Sequence, residues 1–117
     1  MERLTVGSAR LGIPLSPAQV AAFETYTEEL LAWNQQFNLT AITDPEQVEV
    51  RHYLDSLALI PALATLDGVS VPQFLTRNPR TVDVGAGAGF PGLALRIVWP
   101  RLRLVLVEAT AKKVRFM

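Results

Sequence analysis

The spacing of apolar positions changes character along the chain, close to residue 80. Before that point Val20, Phe23, Leu30, Trp33 and Phe37 recur near one stripe at helical spacing, with Glu24, Glu28 and Glu29 outside it. Ser16-Pro17-Ala18-Gln19 introduces the stripe in the form of a capping box: a hydroxyl at the cap, Pro at the first helical position and Gln three residues after the cap. The pattern predicts a helix running to about Gln36. Asp44-Pro45-Glu46-Gln47 repeats the start signal, and Val50, Leu54 and Leu57 follow at i, i+4 and i+7, so a second helix is predicted from about Pro45 to Ile60, ended by Pro61. Residues 67–80, with Gly68, Pro72, Asn78 and Pro79, carry turn residues and little periodicity. They read as a linker after an N-terminal helical segment of residues 1–66.

Beyond the linker, Thr81-Val82-Asp83-Val84 is a short β-prone run and Gly85 to Gly89 a glycine loop. Phe90 to Trp99 is an apolar stretch of helical length closed by Pro100, and Leu102 to Val107 is apolar except for Arg103, as expected of a parallel strand buried on both faces. Strand, helix and strand form a crossover unit, and residues 111–116 look like the start of another helix. Two parallel strands leave edges and faces that need cover. The expectation is therefore an α/β protein, apparently truncated, in which residues 81–117 are the first βαβ part of a longer sheet. At least three more strands in a contiguous C-terminal sequence would confirm it; a well-folded two-strand monomer would refute it.

Composition narrows the classes. At 117 residues, 50% hydrophobic and 19% charged, the chain is no disordered tail. Lys plus Arg and Asp plus Glu both number 11, yet residues 1–60 hold eight acidic and three basic side chains and residues 61–117 the reverse. Two readings follow: the positive half faces an anionic partner, or the two halves attract each other. With no cysteine and one histidine, neither a thiol nucleophile nor a thiolate or zinc site is expected. No run approaches the roughly 18 apolar residues of a membrane span. The expectation is a soluble, cytoplasmic protein with no metal and no membrane partner.

The chemistry concentrates in Asp83-Val84-Gly85-Ala86-Gly87-Ala88-Gly89-Phe90-Pro91-Gly92. Glycines between a strand and a helix let a ligand approach the backbone closely. The frame Gly87-x-Gly89-x-x-Gly92 matches a dinucleotide fingerprint but starts late, three residues after the strand ends. The frame Asp83-x-Gly85-x-Gly87-x-Gly89 puts a carboxylate at the mouth of the cradle, where it repels a pyrophosphate and attracts the sulfonium and ammonium of S-adenosylmethionine. Glu108, 23 residues after Gly85, ends the next strand, where a carboxylate accepts from a ribose diol. That acid serves either cofactor class. Phe90 is a core residue or a wall of the cofactor site, and its place at the helix entrance favours the wall.

Four ordered motifs, Asn38-Leu39-Thr40-Ala41-Ile42, Arg51-His52-x-Leu54-Asp55-Ser56-Leu57, the loop Asp83 to Gly92, and Leu106-Val107-Glu108-Ala109-Thr110-x-Lys112-Lys113, make the chain resemble a known family over roughly residues 16–117. The resemblance is to the bacterial guanine-N7 methyltransferases of small-subunit (16S) ribosomal RNA, also called the glucose-inhibited division protein B family. It implies a helical segment followed by a Rossmann-like class I methyltransferase domain, of which this chain would hold the first third to half. It further implies S-adenosyl-L-methionine as cofactor and ribosomal RNA or the small ribosomal subunit as partner. On that resemblance Asp83 holds the methionine end, Gly85, Gly87 and Gly89 present backbone, Glu108 takes the ribose hydroxyls, and Ala109 and Thr110 lie on the adenine side. No catalytic acid or base is expected, because guanine N7 attacks with a free lone pair and carries no proton. Arg51 and His52 are candidates for substrate positioning, beside the plainer readings of a structural histidine and an Arg51–Asp55 pair at i, i+4. Lys112, Lys113, Arg115, Arg101 and Arg103 are either phosphate contacts or solvated helix ends. Two other functions stay open: a nucleotide- or RNA-binding module without catalysis, and an NAD-dependent dehydrogenase.

Overall fold

The computed structural model describes residues 1–35, 40–85 and 87–108. Two helices open the chain, α1 (Glu2–Arg10) and α2 (Pro17–Asn34). A composite helical stretch follows, made of α3 (Pro45–Gln47), a π segment (Val48–Leu54), α4 (Asp55–Leu57) and α5 (Leu59–Leu66). After α6 (Val71–Phe74) come β1 (Arg80–Val84), α7 (Gly92–Val98) and β2 (Arg103–Val107).

α2 begins where the capping box places it. Ser16 Oγ accepts from Gln19 N–H at 3.2 Å, and Gln19 Oε1 accepts from Ser16 N–H at 2.9 Å. The helix ends at Asn34, two residues before the expected Gln36, which with Phe37 lies outside the described residues. Its buried face is Phe23, Tyr26, Thr27 and Leu30, with Val20 and Trp33 half-buried beside it.

The second helix departs from expectation in two ways. Asp44 caps it as predicted, accepting from Glu46 N–H at 3.1 Å, but the i, i+4, i+7 stripe does not hold, because the turns from Val48 to Leu54 are widened into a π segment. The buried apolar positions are Val48, Tyr53, Leu57, Ile60 and Ala64, with a five-residue first step, while Val50 is 40% exposed. Nor does Pro61 end the helix. One helix ends at Leu57 and the next starts at Leu59, so Pro61 is the third residue of α5, within the first turn, where backbone N–H groups have no intrahelical acceptor and a proline removes nothing.

α1 is not expected from the apolar pattern; it seats Leu4 in the core, with Met1 and Leu11 packed beside it. It is also held by polar bonds to its surroundings: Leu4 N–H donates to the buried Glu49 at 3.0 Å, the N-terminal ammonium lies 3.5 Å from the same carboxylate, and Ser8 Oγ donates to Ile13 O. Gly7 sits against the π segment, where an added Cβ would meet Leu54 Cδ1 at 2.6 Å. Within 67–80, read above as linker, Ser70 and Gln73 form another capping box that starts α6. Phe74 is buried there, its ring 4.9 Å from that of Trp99, whose indole N–H donates to Arg77 O.

β1 and β2 pair in parallel, Arg80 opposite Arg103 through Val84 opposite Val107. Thr81, Asp83, Leu104 and Leu106 form the partly buried face, toward α7; an added Cβ on Gly92 would stand 3.1 Å from Leu104 and Leu106. The other face corrects the expectation of two buried faces: Val82, Val84, Val105 and Val107 are 45–76% exposed. One core of buried residues joins the helical segment to the crossover unit, from Leu4, Phe23, Tyr53 and Ile60 to Ala94, Leu95, Val98 and Trp99.

Candidate cofactor and substrate site

β1 delivers the chain to Gly85, whose N–H donates to Val107 O at 2.7 Å and so extends the parallel ladder by one bond. The backbone then turns through Gly85 (φ 70°), Gly87 (φ 56°) and Gly89 (φ 95°), left-handed conformations that side chains rarely adopt. At Gly85 an added Cβ would meet nothing within 4 Å, so that side of the loop is open. At Gly89 it would strike Leu93 and the Tyr26 hydroxyl, so this glycine answers to packing. α7 begins at Gly92, two residues later than the expected Phe90, because the turn occupies residues 87–91.

Both acids at the strand ends bind this loop directly. Asp83 Oδ2 accepts from Gly92 N–H at 3.0 Å, and Glu108 Oε2 accepts from Gly87 N–H at 2.7 Å. Gly92 is required for the first contact, since an added Cβ would lie 2.7 Å from Asp83 Oδ2. The loop is thus anchored at its centre and at its exit by the carboxylates that flank its mouth.

The helical segment supplies the other wall. Tyr26, Phe90 and His52 form a parallel stack: Tyr26 and Phe90 lie 5.3 Å apart at 3°, Phe90 and His52 4.3 Å apart at 5°. Tyr26 Oη donates to Ala88 O at 2.5 Å, tying α2 to the glycine loop. Burial, then the nearness of Tyr53 and Asp83, pushes the Tyr26 phenol well above its ordinary range, so it stays a protonated donor. Tyr53, bonded to Thr27 at 2.8 Å, is pushed up to about 12, mainly by burial. Nothing in the apolar stripe of α2 marks Tyr26 as a loop ligand, because its partner lies 62 residues away.

His52 is half-buried, and its Nε2 lies 2.8 Å from Thr40 Oγ1. Thr40 Oγ1 already accepts from Ile42 N–H at 3.1 Å, so its own proton is available to Nε2. Burial, with Arg51 alongside, lowers the His52 pKa; Asp55 opposes the shift. Arg51, His52, Asp55, Ser56, Phe90 and Pro91 line a cavity of about 380 Å³. Among the described residues Arg51 and Asp55 form no ion pair. The π segment accounts for this, since a widened turn brings i and i+5, not i and i+4, into line.

The four motifs therefore meet in space. Thr40 reaches His52, His52 stacks on Phe90 of the loop, and the loop is bonded to Glu108. Ala109, Thr110, Lys112, Lys113 and Arg115 lie outside the described residues, as do Asn38 and Leu39. Arg101 and Arg103 are exposed, and Arg103 Nε donates to Asn78 O. Among the described residues no group of three or more His, Asp or Glu is placed to hold a metal, and no helix is long and apolar enough to cross a membrane.

A parallel strand pair bridged by a glycine loop and helix, with acids at both strand ends, makes this an α/β protein with a candidate ligand cradle at the carboxyl edge of its strands. The family of rRNA small subunit methyltransferase G matches residues 19–117, and the chain belongs to it. The chain is 44% identical over its whole length to a protein of Dehalococcoides mccartyi named ribosomal RNA small subunit methyltransferase G, of which it covers 45%. Proteins of the same name from Caldanaerobacter subterraneus and Chloroflexus aggregans are 43% and 45% identical, with 45% and 44% of their lengths covered. The chain thus spans about half the length of the curated relatives it matches.

Proposed function

We propose that this chain carries the S-adenosylmethionine-binding part, and one wall of the substrate cleft, of an enzyme that methylates N7 of a guanine in small-subunit ribosomal RNA. The observation that carries the reading is the glycine loop, open at Gly85 and held by Asp83 and Glu108, in a chain of this family. An ionised carboxylate has about four lone-pair sites, so the bond from Gly92 leaves Asp83 acceptor capacity for the cofactor ammonium. Glu108 has the same chemistry toward a ribose diol, with Gly85 and Gly87 presenting backbone between them. Ala109 and Thr110 follow Glu108 in sequence and are assigned to the adenine side.

The cofactor, when bound, supplies an electrophilic methyl group on a sulfonium. This chain's residues orient and enclose. Asp83 and Glu108 fix the ends of the cradle, Phe90 walls it, and Arg51 and His52 position the RNA from the facing helix. A reaction that needs no proton transfer gains its rate from alignment and a dry pocket. A burial-lowered His52 pKa fits this, because a neutral ring presents an apolar face and no competing charge. Lys112 and Lys113 are assigned to RNA phosphates.

Family membership supports this reading over a dehydrogenase or a module without catalysis. Labelled methyl groups are expected to pass from S-adenosylmethionine to small-subunit RNA with the full-length protein, and S-adenosylhomocysteine, not NAD, is expected to raise its melting temperature. Stabilisation by NAD alone would overturn the proposal.

A further inference from the structure

The cavity beside the glycine loop holds one carboxylate that the reading above leaves without a task. Asp55 is exposed on its lining, four residues beyond Arg51, and is not paired with that arginine. Two walls of the cavity, Phe90 and Pro91, are also the last residues of the loop before α7, so a ligand seated there is adjacent to the cofactor cradle. The floor is aromatic, with Phe90 stacked between Tyr26 and His52. The opposite lining comes from the π segment and α4, and π turns inserted in helices recur at functional sites. An aromatic wall, a cation at one side and a carboxylate that forms no ion pair among the described residues suit a base turned out of an RNA strand.

From this we infer that Asp55 reads the Watson–Crick edge of the target guanine and so selects guanine over adenine. The inference rests on the methyltransferase reading for the identity of the substrate. A carboxylate has only acceptors, and guanine N1–H and the 2-amino group offer two adjacent donors to it. Adenine offers a lone pair at N1, which a carboxylate repels, and a site built on paired hydrogen bonds rejects the analogue that leaves them unmade. Binding through N1–H and the 2-amino group keeps N7, on the other edge of the base, clear of Asp55, so the nucleophilic nitrogen stays free. Arg51, at the same cavity, lies where the phosphate of the bound nucleotide is neutralised.

Binding of GMP, IMP and AMP to the full-length protein, with S-adenosylhomocysteine affinity measured in parallel, tests this. GMP is expected to bind about tenfold tighter than AMP, with IMP, which lacks only the 2-amino group, between them. Asp55→Asn is expected to bring the GMP-to-AMP ratio near one while leaving S-adenosylhomocysteine affinity within about twofold, because Asp55 touches none of the loop's anchoring bonds. A wild-type protein without guanine preference, or a variant that keeps it, overturns the assignment. Loss of S-adenosylhomocysteine binding by the wild type would instead sink the methyltransferase reading, and the nucleotide ratios would still report on Asp55.

Discussion

Glu108 and Asp83 bind the loop beside which the sequence places them, and this changes what their removal does. Glu108→Ala takes away both the proposed ribose acceptor and the anchor of Gly87, so cofactor-analogue affinity is expected to fall by about 2 kcal/mol or more. Calorimetry that finds unchanged affinity would remove Glu108 from the cofactor site. Tyr26 acts from the other side. Tyr26→Phe leaves the buried Ala88 carbonyl without its hydroxyl donor and is expected to cost about 1–3 kcal/mol in chemical denaturation, with weaker S-adenosylhomocysteine binding as well. If stability and affinity both hold, the hydroxyl does not brace the loop. Position alone makes the two acids visible in the sequence, since each ends a recognisable strand. Tyr26 is invisible there, because an apolar stripe records which residues turn inward and not which distant atom they meet.

At the scale of the element, capping chemistry is local and therefore readable. Ser16, Gln19 and Asp44 bond to neighbours two or three residues away, and Ser16→Ala is expected to lower unfolding free energy by about 1 kcal/mol. The π segment is different, since it widens turns so that Tyr53 and Val48 reach the core while Arg51 and His52 face the cavity. One consequence is titratable. The folded-state pKa of His52 lies below its ordinary 6.5, so as pH falls through 6.5 the unfolded chain binds the proton first and stability drops until the folded ring also titrates. Above 6.5 this residue contributes no slope. His52→Gln is expected to flatten that part of the melting-temperature profile, and parallel wild-type and variant profiles would count against the assignment.

For the whole molecule, the two halves share one core, yet one side of the sheet stays bare. Val82, Val84, Val105 and Val107 sit in register, opposite each other in pairs, on the exposed face. Apolar surface of this kind marks a surface normally covered by something else. The 117-residue chain is expected to bind an apolar fluorescent dye there, and the pair Val84→Thr and Val107→Thr to weaken that binding with little change in melting temperature. Equal dye signal from both proteins would show that the dye binds elsewhere.

The sequence by itself determined the starts of α2 and of the helical stretch capped by Asp44, the two strands, the glycine loop and the acids beside it, and the order of four motifs. Each of these follows from interactions between near neighbours or from a period of two or 3.6 residues. Only tertiary structure decided the rest: the π segment, the separation of Arg51 from Asp55, the continuation of the helix through Pro61, the stack of Tyr26, Phe90 and His52, and the exposed valines. Apart from Pro61, whose place in a first turn is local, the outcome depends on contacts between residues far apart in the chain, whose energies no local pattern encodes.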